Sequence, residues 1–149
     1  MAARDPGRRI CFHGAVLILL GLLTGALIPI AANPRMGLSA HLAGVQNGIL
    51  LLALGACWPH LRLGPRSRAA CSHLATGSLY VLWFATLLAA VIGTSQATPI
   101  AGAGHEGAIW QEILVTTLFG AGSIAALGGF LLVVLGLRGR AQPELMRDA

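Results

Sequence analysis

Four long apolar runs, separated by short polar connections, dominate the pattern of this chain. The runs lie near residues 12–32, 38–58, 69–92 and 109–137, and each reaches the roughly 20 residues that an α-helix needs to cross the hydrocarbon core of a bilayer. No run alternates apolar and polar positions as a membrane β-strand does. The pattern therefore predicts an all-α integral membrane protein with four transmembrane helices in a single domain over residues 1–140.

Composition supports the same class. The chain of 149 residues is 56% hydrophobic and only 10% charged, whereas soluble domains carry about 25% charged residues. Its basic side chains are all arginine or histidine, since it has no lysine. The arginines stand at the ends of the apolar runs rather than along one face, which argues against nucleic-acid binding.

The placement of the arginines predicts the orientation of the helices, because arginine is enriched in short cytoplasmic connections of membrane proteins. Three arginines precede the first run, three lie between the second and third runs, and three follow the fourth, whereas only Arg35 lies on the other side. We therefore predict that both termini are cytoplasmic, with a disordered cytoplasmic tail over residues 141–149. A cleaved signal peptide over residues 1–32 is the competing interpretation of the first run.

The second run carries three polar side chains, His41, Gln46 and Asn47, into an otherwise apolar helix. Polar groups at such depth are costly unless each has a partner. From a predicted helix start at Leu38, His41 lies about 5 Å and Asn47 about 13 Å inside the helix, which places both in the outer leaflet. A neutral imidazole is also a good metal ligand, so His41 is the leading candidate for a metal or cofactor site.

Small residues share the helix face of His41. At about 100° per residue, Gly44 and Gly48 fall within roughly 60° of the histidine on the helical wheel. We predict that this bare face holds a flat macrocycle such as haem, with His41 as axial ligand and the two glycines against the ring. The alternative is a histidine bonded to a neighbouring helix, with the glycines serving helix contact. The pattern itself leaves both interpretations open.

Further candidates come from the outer side of the membrane and from the third and fourth runs. His105 and Glu112 can supply acid–base groups, and Asn47 can hold the substrate. The alternatives are a solvated loop histidine and a first-turn carboxylate stabilised by the helix dipole. Four more residues are candidate substrate contacts, although the hydroxyls among them can equally bond their own backbone: Ser78, Thr86, Trp110 and Gln111.

A resemblance to the bacterial hydroxylaminobenzene mutases is carried by two long irregular segments. They are NPRMGLSAHLAGVQNG at residues 33–48 and GTSQATPIAGAGH at residues 93–105, the latter followed by Trp110-Gln111-Glu112. The resemblance implies a small multi-pass protein of the bacterial inner membrane. It also implies an isomerase that converts an N-aryl hydroxylamine, a small aromatic substrate, to an ortho-aminophenol.

A more distant similarity links residues 40–48 to a motif of the styrene oxide isomerases. It implies a homotrimer that holds haem b between subunits, with His41 as the axial iron ligand and Asn47 as a donor that positions the substrate. Ser78 and Thr86 stand where that family has an aspartate and a tyrosine, so those two roles do not carry over.

The function expected from these features is a membrane mutase in which haem iron acts as a Lewis acid on the N–OH oxygen. Two other classes stay open at this point. One is a haem-b electron carrier, for which His41 and His105 form the only geometrically plausible axial pair. The other is a small transporter or structural membrane protein without a cofactor.

Overall fold

Each of the four predicted spans is an α-helix in the computed structural model, which describes residues 5–138. The helices are α1 (Pro6–Leu27), α2 (Pro34–Cys57), α3 (Pro65–Ile92) and α4 (Ile109–Arg138). All four are long and apolar enough to cross a membrane, and the described residues contain no strand. The all-α membrane class is therefore confirmed. The tail predicted to be disordered, residues 141–149, lies outside the described residues.

The first three helices begin earlier than the apolar pattern predicts, at residues 6, 34 and 65 rather than near 12, 38 and 69. Each begins with a proline, whose fixed φ suits the first helical position and whose missing N–H is not needed there. Two of the starts are also capped: Asp5 accepts a hydrogen bond from the Gly7 amide, and Asn33 accepts one from the Met36 amide. The helices therefore start in polar residues, which the hydropathy pattern does not assign to the spans.

The contact between α1 and α2 is made by glycine on both sides. Glycines recur every seventh residue along α1, and a Cβ added to any of them would lie 2.9 Å or less from the backbone of α2. For example, a Cβ on Gly21 would lie 2.6 Å from the Val45 nitrogen, and one on Gly44 would lie 2.5 Å from the Gly21 Cα. Such backbone-to-backbone packing is a common way for membrane helices to associate, because lipid supplies little hydrophobic driving force between them. The facing pairs are Gly7 with Gly55, Gly14 with Gly48, and Gly21 with Gly44.

The helices follow one another as neighbours, with α2 against α3 and α3 against α4. The side where α1 and α3 begin and α2 and α4 end carries most of the arginines and is called here the arginine-rich side. One buried cluster, around Leu51, Trp58 and Leu79, lies towards that side. A second, around Met36, Ala89 and Val115, lies towards the opposite side, called here the outer side. Because α4 packs mainly on α3, most of its leucine and isoleucine side chains remain exposed to lipid.

The connection between α3 and α4, residues 93–108, is folded over the outer side. Gly93 ends α3 with a left-handed φ of 72°, a conformation that glycine adopts without a Cβ penalty. Asn33, which is only 2% exposed, then joins three elements: its amide N–H donates to the Ala90 carbonyl (3.0 Å), and its Nδ2 donates to the Ala101 carbonyl (2.9 Å). The start of α2, the end of α3 and the connection are therefore held together by one residue.

Candidate active site on the outer side

His41 projects from the second turn of α2 towards α1. Its Nδ1 lies 2.8 Å from the carbonyl oxygen of Gly21. Since a carbonyl oxygen can only accept a hydrogen bond, Nδ1 carries the proton and Nε2 keeps a free lone pair. No residue among 5–138 bonds Nε2, and that atom is not sealed in the interior. A metal-ligating histidine typically has this arrangement, with its second ring nitrogen donating to a backbone carbonyl.

The glycines beside His41 do not form an open face. A Cβ on Gly44 would lie 2.5 Å from the Gly21 Cα, and a Cβ on Gly48 would lie 2.7 Å from the Gly14 oxygen. The backbone of α1 therefore occupies the stripe that the sequence pattern assigned to a macrocycle. Both glycines contact α1, which is the helix-contact alternative, and their contact with a cofactor stays a prediction.

An apolar cavity lies next to this contact on the outer side, between α1, α2 and α3. Its volume is about 170 Å³. Its walls include Thr24 and Gly37. Thr24 precedes Gly25, at which an added Cβ would lie 2.8 Å from Nδ1 of His41, and Gly37 lies one turn before His41 on α2. The remaining walls are mostly aliphatic and include Leu27, Ile30, Ala31, Leu87, Ala90 and Val91. The sequence contained no signal for this cavity, because its walls come from three helices and a turn that are distant in the chain.

The polar side chains of α2 and α3 are bonded to backbone carbonyls. Asn47 donates through Nδ2 to the Leu79 carbonyl of α3 (3.0 Å), so it faces a different helix from His41. Ser78 and Thr86 donate to carbonyls of their own helix, at 3.1 and 2.8 Å. None of the three lines the outer cavity. For the two hydroxyls, the structure shows the backbone-bonded alternative; a role for Asn47 in substrate positioning stays a prediction.

Glu112 is buried in the first turn of α4, with 4% of its surface exposed. Its carboxylate accepts hydrogen bonds from the amides of Ser95, Gln96 and Gly107, each at 3.0 Å. The carboxylate thus joins the beginning of the α3–α4 connection to its end. Glu112, which the sequence analysis names as a candidate for acid–base chemistry, therefore has a structural role in holding this connection.

The other predicted residues of this region lie around the same connection. His105 places Nε2 3.0 Å from the carbonyl of Ala32, a residue of the cavity wall, while its Nδ1 is buried and has no hydrogen-bond partner among the described residues. Gln111 accepts the Ala108 amide at 2.8 Å, which caps the start of α4. Trp110 is 65% exposed and does not line the cavity. Of this set, only His105 bonds a residue of the cavity wall, although its own side chain does not line the cavity.

We expect Glu112→Gln to loosen the connection. Replacing a carboxylate oxygen by an NH₂ group sets a donor against an amide N–H and removes charge-assisted bonds, at a cost of about 2 kcal/mol in unfolding free energy. Thermal unfolding in detergent and proteolysis within residues 93–108 measure this. Glu106→Gln is the matched control, because Glu106 is exposed in the same connection. Equal stability of the two variants would contradict the structural role of Glu112.

The sequence matches a known family and two relatives of known activity. The family described as styrene oxide isomerase matches residues 6–138, which is nearly the whole described chain. The chain belongs to the styrene oxide isomerase family. It is also 47% identical to hydroxylaminobenzene mutase HabB of Ectopseudomonas oleovorans over 88% of its length and 80% of the relative.

A second relative from the same organism supports the assignment. Hydroxylaminobenzene mutase HabA is 42% identical over 70% of this chain and 78% of the relative. No solved structure matches the chain. The chain is therefore a multi-pass membrane isomerase of the mutase type, and the resemblance inferred from residues 33–48 and 93–112 is confirmed.

Proposed function

We propose that this member of the styrene oxide isomerase family converts N-aryl hydroxylamines, such as hydroxylaminobenzene, to 2-aminophenols in the bacterial inner membrane. The observation that carries the proposal is the 47% identity to HabB across 88% of the chain. In this reaction the hydroxyl group leaves nitrogen and appears on the ortho carbon, while the hydrogen of that carbon moves as a proton. Substrate and product have the same atoms, so no external oxidant or reductant is needed.

The outer cavity is the proposed entry point for the aromatic ring. An apolar cavity of about 150 Å³ is sufficient to bind benzene, and this one measures about 170 Å³. Val91 stands at its edge with 56% of its surface exposed, so the cavity is open to molecules dissolved in lipid. A neutral aryl hydroxylamine partitions into a membrane and can reach this opening from the outer leaflet.

Of the described residues, His41 is the one that we propose would hold haem b. Its fit rests on the bond between Nδ1 and Gly21, which orients the ring and leaves the Nε2 lone pair available. A single imidazole is a protein ligand that haem proteins use, and no cluster of three metal-binding side chains lies within residues 5–138. Bound haem iron would supply a Lewis acid for the N–OH oxygen.

Because α1 fills the glycine stripe beside His41, haem held by His41 would need a wall from another surface. A homo-oligomer meets that requirement, and we propose the trimer that the family resemblance implies. His105 is the proposed base for the proton that leaves the ring. Its Nδ1 has no partner within residues 5–138, and its Nε2 is held by the carbonyl of Ala32 on the cavity wall, which orients the imidazole.

The reaction is tested by adding hydroxylaminobenzene labelled with ¹⁸O to membranes that contain the protein. We expect 2-aminophenol that retains the label, because the hydroxyl group is transferred within one molecule. Membranes without the protein are the control. Product that carries oxygen from water would contradict the mutase mechanism, and absence of 2-aminophenol above the control would contradict the function.

We expect Val91→Trp to reduce kcat/KM for hydroxylaminobenzene about tenfold or more, because an indole at the cavity edge competes with the aryl ring for the same space. Val134→Trp is the matched control, since Val134 is 46% exposed on α4 and does not line the cavity. Steady-state kinetics of both variants in the same detergent make the comparison. Equal kcat/KM in the two variants would contradict the proposal that the substrate enters through this cavity.

A further inference from the structure

A polar groove lies at the opposite end of the molecule from the proposed active site. It consists of two adjoining cavities, about 340 and 200 Å³ in volume, between the start of α1 and the start of α3. The cavities share Arg9, Ser72 and His73. The groove is on the arginine-rich side, where helix ends meet the level of lipid headgroups. The proposed isomerase chemistry uses none of these residues.

The side chains that line this groove are rich in hydrogen-bond donors. Arg9 is exposed on α1. Arg68 is held in place by the carbonyls of Trp58 (3.1 Å) and Leu61 (3.3 Å), and its guanidinium carbon lies 5.2 Å from the centre of the Trp58 ring. The arginine is thus fixed before any ligand arrives, so little side-chain entropy remains to be lost on binding.

The indole N–H of Trp58 is a second, independent indication that this groove binds a hydrogen-bond acceptor. The residue lines the larger cavity and is 97% buried, yet its indole N–H has no acceptor within residues 5–138. A buried donor without a partner is costly, and most such groups in folded proteins are satisfied by protein, water or ligand. Among the described residues, no carboxylate lines either cavity. The nearest one along the chain, Asp5, accepts the Gly7 amide at 2.9 Å as the cap of α1.

We propose that this groove binds the phosphate group of an anionic phospholipid. Two guanidinium groups and an indole N–H match a phosphate, which accepts charge-assisted hydrogen bonds. Basic pockets between membrane helices at the cytoplasmic interface are suited to such headgroups. The apolar side chains of Pro6, Ile10 and Ala69 also line the cavities and give the beginning of the acyl chains an apolar surface. A zwitterionic headgroup brings a cation that Arg9 and Arg68 repel.

Arginines at this side also orient the protein in the membrane, and that role alone needs no binding site. The chain offers a direct comparison between the two explanations. Arg8 is the neighbour of Arg9 and is also exposed, but it lines neither cavity. If the arginines only orient the protein, Arg8 and Arg9 should contribute equally to lipid binding. If the groove binds a phosphate, Arg9 should contribute and Arg8 should not.

The experiment measures lipid binding to the full chain purified in a neutral detergent, by native mass spectrometry and by the rise in Tm. The probes are phosphatidylglycerol, phosphatidylcholine and inorganic phosphate. We expect phosphatidylglycerol to bind about tenfold more tightly than phosphatidylcholine. Arg9→Gln should weaken that binding about fivefold or more, from the loss of about one headgroup–arginine interaction. Arg8→Gln should change it less than about twofold. Trp58→Phe, which keeps an aromatic ring under Arg68 but removes the N–H, should weaken it as well.

Three results would overturn the proposal. Equal losses in Arg9→Gln and Arg8→Gln would mean that the lipid responds only to overall surface charge. Equal affinities for phosphatidylglycerol and phosphatidylcholine would exclude recognition of an anionic headgroup. Inorganic phosphate that raises Tm as much as phosphatidylglycerol would make a free anion, rather than a lipid, the ligand. All three readouts are independent of aminophenol formation, so they leave the proposed isomerase function untouched.

Discussion

Replacement of His41 by alanine is expected to lower aminophenol formation at least about 100-fold, because even the loss of an outer-shell partner of a ligating histidine costs about 10- to 100-fold. The substitution removes one hydrogen bond, to the Gly21 carbonyl, which contributes about 1 kcal/mol to stability. The variant should therefore fold, and its Tm measured beside the wild type verifies that. Any haem absorbance of the purified wild type should disappear in the same variant.

The matched control for this experiment is His60→Ala. His60 is exposed in the turn that ends α2, on the arginine-rich side, so its loss should leave activity within about twofold. A folded His41→Ala protein with wild-type activity would contradict the proposed role of the imidazole. An active wild type that shows no haem absorbance would contradict haem as the cofactor and would leave the isomerase function standing.

The second large effect is expected for Gly44→Ala. A methyl group at this position would lie 2.5 Å from the Gly21 Cα and 2.9 Å from the Trp83 ring, so α1 and α2 have to separate. We expect a loss of about 3 kcal/mol or more in unfolding free energy, at the upper end of the usual cost of overpacking, because the obstructing atom belongs to backbone. Thermal unfolding and the yield of monodisperse protein in detergent measure the loss.

Gly77→Ala is the control for this substitution, since a Cβ at Gly77 on α3 has no heavy atom within 4 Å. Alanine in an open helical position should stabilise the protein by up to about 1 kcal/mol through helix propensity. The two identical chemical changes are therefore expected to have opposite signs. If Gly44→Ala were as stable as Gly77→Ala, the close contact between α1 and α2 would be wrong.

The helix face that carries His41, Gly44 and Gly48 shows what the sequence pattern can and cannot predict. Helical periodicity places Gly44 and Gly48 on the face of His41, and that face fits either a bound cofactor or a contact with another helix. The choice between them depends on which element covers that face. Periodicity describes one helix at a time, so it cannot tell an open face from one that α1 occupies backbone to backbone.

Glu112 illustrates the same limit for a charged residue. A lone carboxylate at the start of an apolar span is a functional candidate by default. In the structure, three amides of the α3–α4 connection converge on it and satisfy its oxygens. Those amides come from residues up to 17 positions away, and backbone N–H groups have no sequence signature. Only the folded connection reveals them.

The sequence by itself determined that this protein has four membrane-spanning helices and belongs to a family of membrane isomerases. These features follow from one-dimensional physics, because hydrocarbon thickness and the cost of unpaired backbone set the length and apolarity of each span, and from the residues of segments 33–48 and 93–112. The tertiary structure decided which ring nitrogen of His41 is free, which glycines are covered, and where the cavity and the basic groove lie. The reason is that each depends on atoms of another helix, whose position arises only from packing.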